Sequence, residues 1–108
     1  MAKVPVLHQS IKKRFPKYFT ALENLGKAAK AAGPLDVKTA HLIQMAAAAA
    51  IRSEGSVHSH TRRALEAGAS PEEIMHALLL ITSTVGFPNV SAALSWAEEI
   101  IKEHQDRK

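Results

Sequence analysis

Residues able to do acid–base or metal chemistry are concentrated in residues 53–61, and one further histidine, His41, precedes them. The stretch combines serines, a glutamate, His58 and His60. Imidazole holds or moves a proton near neutral pH and is the commonest metal ligand in proteins. A serine hydroxyl binds substrate, or attacks it when a base lies beside it. Residues 53–61 and His41 are therefore the candidate functional site.

The spacing of these side chains indicates what they can do together on a helix. At about 100° per residue, Ser53, Ser56 and His60 share one stripe. His58 lies about 160° from His60, so the two histidines cannot chelate one ion from a regular helix. Glu54 and His58, four residues apart, can pair on the other face. Ser56 and His60, four residues apart, have the spacing of a nucleophile and its base, but no third residue that would orient the base is recognisable. Ser53 and Ser56 are also typical helix caps.

The elements that position these residues are predicted to be helices, because glycine and proline separate segments of helical period and no alternating run typical of a strand occurs. Asp36 and Ser70 are predicted N-caps, the second within a capping box of sequence SPEE. Gly68 and Gly86 are predicted helix terminators. The first predicted helix spans residues 9–31, with an interruption at Pro16. The second spans residues 37–52, and the third runs from the break at 53–55 to residue 67. The last two span residues 71–85 and 89–104.

The composition of the 108 residues predicts one all-α domain, with 46% hydrophobic and 22% charged residues. The absence of cysteine excludes disulfides, thiolate metal sites, iron–sulfur clusters and thiol catalysis by this chain. The longest apolar run, residues 45–51, is far shorter than the ~20 residues of a membrane span, and the first residues contain no hydrophobic signal core. We therefore expect a soluble, cytoplasmic protein without membrane association.

The net charge of +4 does not by itself indicate a nucleic-acid partner. Basic residues cluster near the two ends of the chain, as Lys12, Lys13, Arg14 and Lys17 at one end and Arg107 and Lys108 at the other. Neither a helix-turn-helix pattern nor an aromatic-interleaved basic patch accompanies them. The charges are therefore interpreted as solvated surface, and no nucleic-acid binding is expected.

Several segments together resemble the carboxymuconolactone decarboxylase and alkylhydroperoxidase D-like family over about residues 34–100. They are LDVKT at 35–39, the alanine-rich helix, RSEGS at 52–56, HTRRALEAGASPEEI at 60–74 and GFP at 86–88. The resemblance implies the family's helical fold, with a core helix pair from about residue 37 to 68 packed by the last two helices. It also implies trimers or hexamers, for which the apolar residues Phe15, Tyr18, Phe19, Leu22 and Leu25 provide surface.

The resemblance also separates two kinds of activity. In the peroxidase branch, the corresponding motif resembles Cys-x-x-Cys followed four residues later by histidine, with a glutamate on the preceding helix. Ser53 and Ser56 occupy the cysteine positions here, His41 matches the glutamate, and His60 is retained. Serine forms neither the disulfide nor the sulfenate that peroxide reduction requires, so thiol peroxidase activity is not expected.

The decarboxylase branch provides the enzyme hypothesis that fits this chain. By resemblance it works without the cysteine pair and keeps a histidine equivalent to His60 in a pocket between helices. We predict that His60 is the acid/base and His41 a second one, acting without a cofactor on a small carboxylated or carbonyl-containing molecule. The predicted substrate-binding residues are Arg52, Ser53 and Ser56, with Arg62 and Arg63 as alternative carboxylate anchors.

Two other hypotheses remain open from the sequence. The chain is alternatively a non-catalytic oligomeric binding or scaffold protein that retains the fold. The other hypothesis is that the chain contains a histidine-based metal site, in which His41 and His60, with Glu54 or His58, hold zinc or nickel.

Overall fold

A computed structural model describes residues 6–107 and contains seven helices within that range. They are α1 (Val6–Arg14), α2 (Pro16–Ala31), α3 (Val37–Ala50), α4 (Glu54–Glu66), α5 (Pro71–Leu80), α6 (Thr82–Val85) and α7 (Phe87–Asp106). The all-α prediction is confirmed. The chain forms two compact units that divide between Leu35 and Asp36. Among the described residues, no helix is long and apolar enough to cross a membrane.

The first unit contains α1 and α2. Pro16 occupies the first turn of α2, where its missing N–H costs no hydrogen bond, and Phe15 adopts the non-helical backbone between the two helices. The predicted interruption at Pro16 is therefore a restart of the helix. Helix α2 carries exposed large hydrophobic side chains, among them Tyr18, Leu22 and Leu25.

The second unit is built around α3 and α4, which pack against each other, and α5 and α7 pack against this pair. The buried core is made of aliphatic, alanine and methionine side chains from these four helices. Met45, Val57, Ile74, Leu78 and Val90 are among its fully buried members. The five-residue alanine run of α3 adds little side-chain bulk, which allows close approach of a neighbouring helix.

Local start and stop signals agree closely with the predictions. The Asp36 carboxylate accepts a hydrogen bond from the Thr39 N–H at 2.8 Å, which caps α3. Ser70 and Glu73 form the complete reciprocal capping box at the start of α5. Gly68 and Gly86 adopt φ of 99° and 91°, backbone conformations that L side chains rarely adopt.

Three predicted boundaries were wrong. Residues 71–85 form two helices, because the chain turns at Ile81 and restarts as α6 without a glycine or proline signal. Helix α7 begins at Phe87 rather than at residue 89, and Pro88 lies in its first turn. Helix α4 begins at Glu54, so Gly55 lies inside the helix and Ser53 is its N-cap residue.

Candidate functional site

The centre of the candidate site is a contact between two histidines on the core helix pair. His41 lies on the buried face of α3, and His60 is half-buried on α4. Their Nδ1 atoms are 3.2 Å apart, and their ring centroids are separated by 5.5 Å with a tilt of 33°. The structure therefore brings together the two residues predicted as acid/base groups.

A hydrogen bond between two Nδ1 atoms fixes the tautomers of a neutral pair. One ring must carry its proton on Nδ1 and donate it, which makes the Nε2 of that ring basic. The other ring accepts at Nδ1 and so carries its proton on Nε2, which makes that Nε2 a proton donor. A neutral pair thus presents one general base and one general acid, and an added proton converts it into a cation with a shared charge.

The three predicted substrate-binding residues lie at the start of α4. Arg52 is exposed in the connection between α3 and α4, with φ of 60°, a left-handed conformation that favours glycine. Ser53 has an extended backbone and makes no side-chain capping hydrogen bond. Ser53 therefore lies outside the regular helix, and the predicted stripe of Ser53, Ser56 and His60 is wrong for its first member. Ser56 lies one turn before His60 on α4.

The two alternative carboxylate anchors differ in their surroundings. Arg63 is exposed. Arg62 is half-buried, and its Nε is a buried atom without a hydrogen-bond partner among residues 6–107. Arg62 follows His60 by two residues and therefore lies about 160° from it around α4, so it does not face the histidine pair.

The residues of the metal hypothesis divide into two groups. His58 faces Glu54, with 3.8 Å from Nε2 to Oε2, and also Glu99 of α7, with 3.4 Å to Oε2. In the described part of the chain, the one group of three ligand-bearing side chains close enough to hold an ion is Glu54, His58 and Glu99. The grouping of His41 and His60 with Glu54 or His58 was therefore wrong.

Two residues near these groups were not predicted from the sequence. Glu99 comes from α7, and no spacing rule links it to residues 53–61. Gln44 lies nearly one turn after His41 on α3, and its side-chain oxygen is buried without a hydrogen-bond partner in the described range. The available signal was a polar residue, Gln44, directly before the uninterrupted apolar run of residues 45–51.

A groove between α3 and α5 lies in the second unit. Its volume is about 380 Å³, and apolar residues such as Leu42, Ile43 and Leu80 line it beside Glu73 and His76. Hydrogen bonds from the Ser70 N–H and from Lys38 hold the pKa of Glu73 below its usual range. Near neutral pH the ionised Glu73 is therefore paired with the Lys38 ammonium, 3.0 Å away, at the rim of this groove.

Comparison with known proteins identifies the family. The sequence model of the carboxymuconolactone decarboxylase family matches residues 16–99. The chain belongs to this family. A curated relative, an uncharacterized protein of Methanocaldococcus jannaschii, is 29% identical over 90 residues, which are 83% of this chain and 84% of the relative.

Two crystal structures resemble this decarboxylase-family chain. One is the apo form of a carboxymuconolactone decarboxylase family protein of Legionella pneumophila, with a TM-score of 0.77, 30% identity, and coverage of 88% of this chain and 84% of that one. The other is a carboxymuconolactone decarboxylase candidate from Burkholderia xenovorans, with a TM-score of 0.74 and 24% identity. This match covers 97% of this chain and 85% of the Burkholderia chain, and it supports the fold alone. These matches confirm the resemblance and the fold that the sequence predicted.

Proposed function

We propose that this protein binds a small carboxylated or carbonyl-containing molecule and acts on it as a lyase of the decarboxylase type. The acid/base group is the His41–His60 pair. The observation that supports this proposal is the 3.2 Å contact between the two Nδ1 atoms, on a buried helix face. Family membership supports the reaction class, and the absence of cysteine excludes thiol peroxidase chemistry.

The reaction is a loss of CO₂ followed by a proton transfer. The bond between the carboxylate carbon and the adjacent carbon breaks, and its electron pair stays on the adjacent carbon, delocalised towards a neighbouring carbonyl. An imidazole Nε2–H of the pair gives its proton to that carbon, and the pair then recovers a proton from water. Arg52 is the candidate that holds the substrate carboxylate, and Ser56, one turn before His60 on α4, is a candidate hydrogen-bond donor.

The test compares two histidine variants with a matched control. Purified protein is incubated with lactone acids and small keto acids, and CO₂ release and thermal stabilisation are measured. We expect His60→Gln and His41→Gln to abolish both signals, because each removes one half of the acid/base pair. His76→Gln, which alters an exposed histidine of α5, is expected to behave as the wild type.

A fourth variant separates chemistry from packing. His41→Glu restores the side chain that the peroxidase branch has at this position, and glutamate also exchanges protons with His60. We expect it to keep part of the activity that His41→Gln loses. Wild-type protein that neither binds nor converts any of these compounds would overturn the enzyme proposal and favour the scaffold hypothesis.

The assembly is a separate part of the proposal. We propose a cytoplasmic homotrimer or homohexamer, supported by the exposed apolar side chains Phe15, Tyr18, Leu22 and Leu25 of the first unit. Light scattering coupled to size-exclusion chromatography measures the mass directly. A monomer of 11.7 kDa at micromolar concentration would refute it.

A further inference from the structure

A second cluster of chemistry-bearing side chains lies on the opposite face of α4 from His60 and takes no part in the proposed reaction. It consists of Glu54, His58 and Glu99, whose ligand atoms all lie within 4.8 Å of one another. Glu54 and His58 are four residues apart on α4, a spacing that places two ligands on one helix face, as in helical zinc sites. Glu99 completes the set from α7, which packs against α4.

The distances at His58 do not match a hydrogen-bonded ion pair. A charge-assisted N–H···O bond measures about 2.7–2.9 Å. His58 Nε2 lies 3.4 Å from Glu99 Oε2 and 3.8 Å from Glu54 Oε2. Two ligands on a tetrahedral ion with bonds of about 2.05 Å are about 3.3 Å apart. The His58–Glu99 separation therefore corresponds to two ligands of one ion, and the Glu54 oxygen lies 0.4 Å farther from His58 than the Glu99 oxygen does.

The His58 Nε2 atom provides an independent observation. It is buried, and it has no hydrogen-bond partner in the part of the chain that the structure describes. It nevertheless faces two carboxylates that are more than half exposed, with side-chain exposures of 56% for Glu54 and 61% for Glu99. When the imidazole proton is on Nδ1, an Nε2 lone pair and two carboxylates lie within 4.8 Å of one another, an arrangement that attracts a cation. A divalent ion satisfies all three groups together.

We propose that Glu54, His58 and Glu99 bind one divalent first-row transition-metal ion, for which Zn²⁺ is the best fit. One imidazole and two carboxylates are ligands that zinc accepts, and the exposed glutamates leave room for water as a fourth ligand. A harder ion such as Mg²⁺ prefers an all-oxygen site with more waters and is expected to bind poorly. The bound ion connects α4 to α7, so it stabilises the second unit.

The test is calorimetric titration of the metal-free protein with ZnCl₂, and separately with MgCl₂, in a non-chelating buffer at pH 7.5. We expect one Zn²⁺ per chain and at least a tenfold weaker affinity in His58→Gln and in Glu99→Gln, because even indirect partners of a metal are worth about tenfold or more. Glu98→Gln removes the same charge from the neighbouring, exposed position of α7 and is expected to bind normally. Circular dichroism checks that each variant is folded.

A further variant distinguishes this site from the histidine pair. His60→Gln is expected to keep the zinc site, so loss of binding in that variant would place the ion at His41 and His60 and overturn the proposal. Absence of saturable Zn²⁺ binding below millimolar concentration, or equal binding by His58→Gln, would also overturn it. Anomalous diffraction at the zinc edge locates the ion directly.

Discussion

Replacement of Thr61 by valine is expected to stabilise the protein. Thr61 lies on the inward face of α4 with Val57, Ala64 and Leu65, and its exposed fraction is 0%. Its hydroxyl oxygen is buried without a hydrogen-bond partner among the described residues. Valine has nearly the same shape and presents a methyl group where threonine presents the hydroxyl.

The expected gain follows from the two groups that are exchanged. Leaving a buried hydroxyl unsatisfied costs about 1–3 kcal/mol, and this cost disappears in Thr61→Val. The new methyl group adds hydrophobic burial of up to about 0.8 kcal/mol. Threonine and valine have similar helix propensities, so the backbone contributes little. We expect the free energy of unfolding to rise by about 1–3 kcal/mol, and Tm by about 4–8 °C for each kcal/mol.

The assay is reversible thermal and urea unfolding of wild type and three variants at a fixed protein concentration. Thr61→Ser keeps the hydroxyl and deletes the methyl group, so it is expected to destabilise by about 1 kcal/mol. Thr82→Val is the matched control, because the Thr82 hydroxyl donates to the Leu79 carbonyl at 2.7 Å. That variant is expected to lose about 0.5–1.5 kcal/mol. A Thr61→Val protein that is less stable than wild type would refute the reasoning, since the hydroxyl would then have a partner in solution.

Four further predictions concern single residues. Ser70→Ala is expected to cost about 1 kcal/mol, because it removes one half of the α5 capping box. The hydrogen bond from the Ser70 N–H lowers the pKa of Glu73. Ionised Glu73 therefore stabilises the fold at pH values above the ordinary pKa of glutamate, and that stability is lost as the pH falls through the lowered pKa. Glu73→Gln is expected to lower Tm at pH 7 but not at pH 2. Arg52→Gly is expected to raise stability by up to about 1 kcal/mol, because φ is 60° there, while weakening carboxylate binding in calorimetry. Met45→Ala is expected to cost about 2–5 kcal/mol in urea unfolding, because its side chain is fully buried.

The helix boundaries that could be predicted are those whose cause lies within a few residues of the boundary. Asp36 and Ser70 bond to N–H groups three residues ahead, and Gly68 and Gly86 adopt positive φ themselves. The turn at Ile81 could not be predicted in this way. Its sequence contains neither glycine nor proline, and the short α6 that follows it packs against α7, a contact that no local sequence signal reveals.

In the candidate site too, contacts within one helix could be predicted and contacts between distant helices could not. The 100° periodicity of a helix predicted that Glu54 and His58 lie on one face, and the structure places them 3.8 Å apart. It could not predict Glu99, because which residue of α7 faces α4 depends on how two distant helices pack. His41 and His60 belong to different helices, and no periodicity joins them. Their pairing was suggested by the family resemblance, which places both positions in one site.

The family fold fixes where these side chains meet, and the residue types then determine the charge of the site. With glutamate at position 41, as the resemblance gives for the peroxidase branch, a protonated His60 would be neutralised by a carboxylate. With His41, the same contact carries no negative charge, and one added proton makes the pair cationic. The replacement therefore makes the site more positive by one unit. A more positive pair stabilises anions and the negative charge that develops when a carboxylate is lost, whereas a carboxylate suits the activation of a thiol, which this chain does not contain.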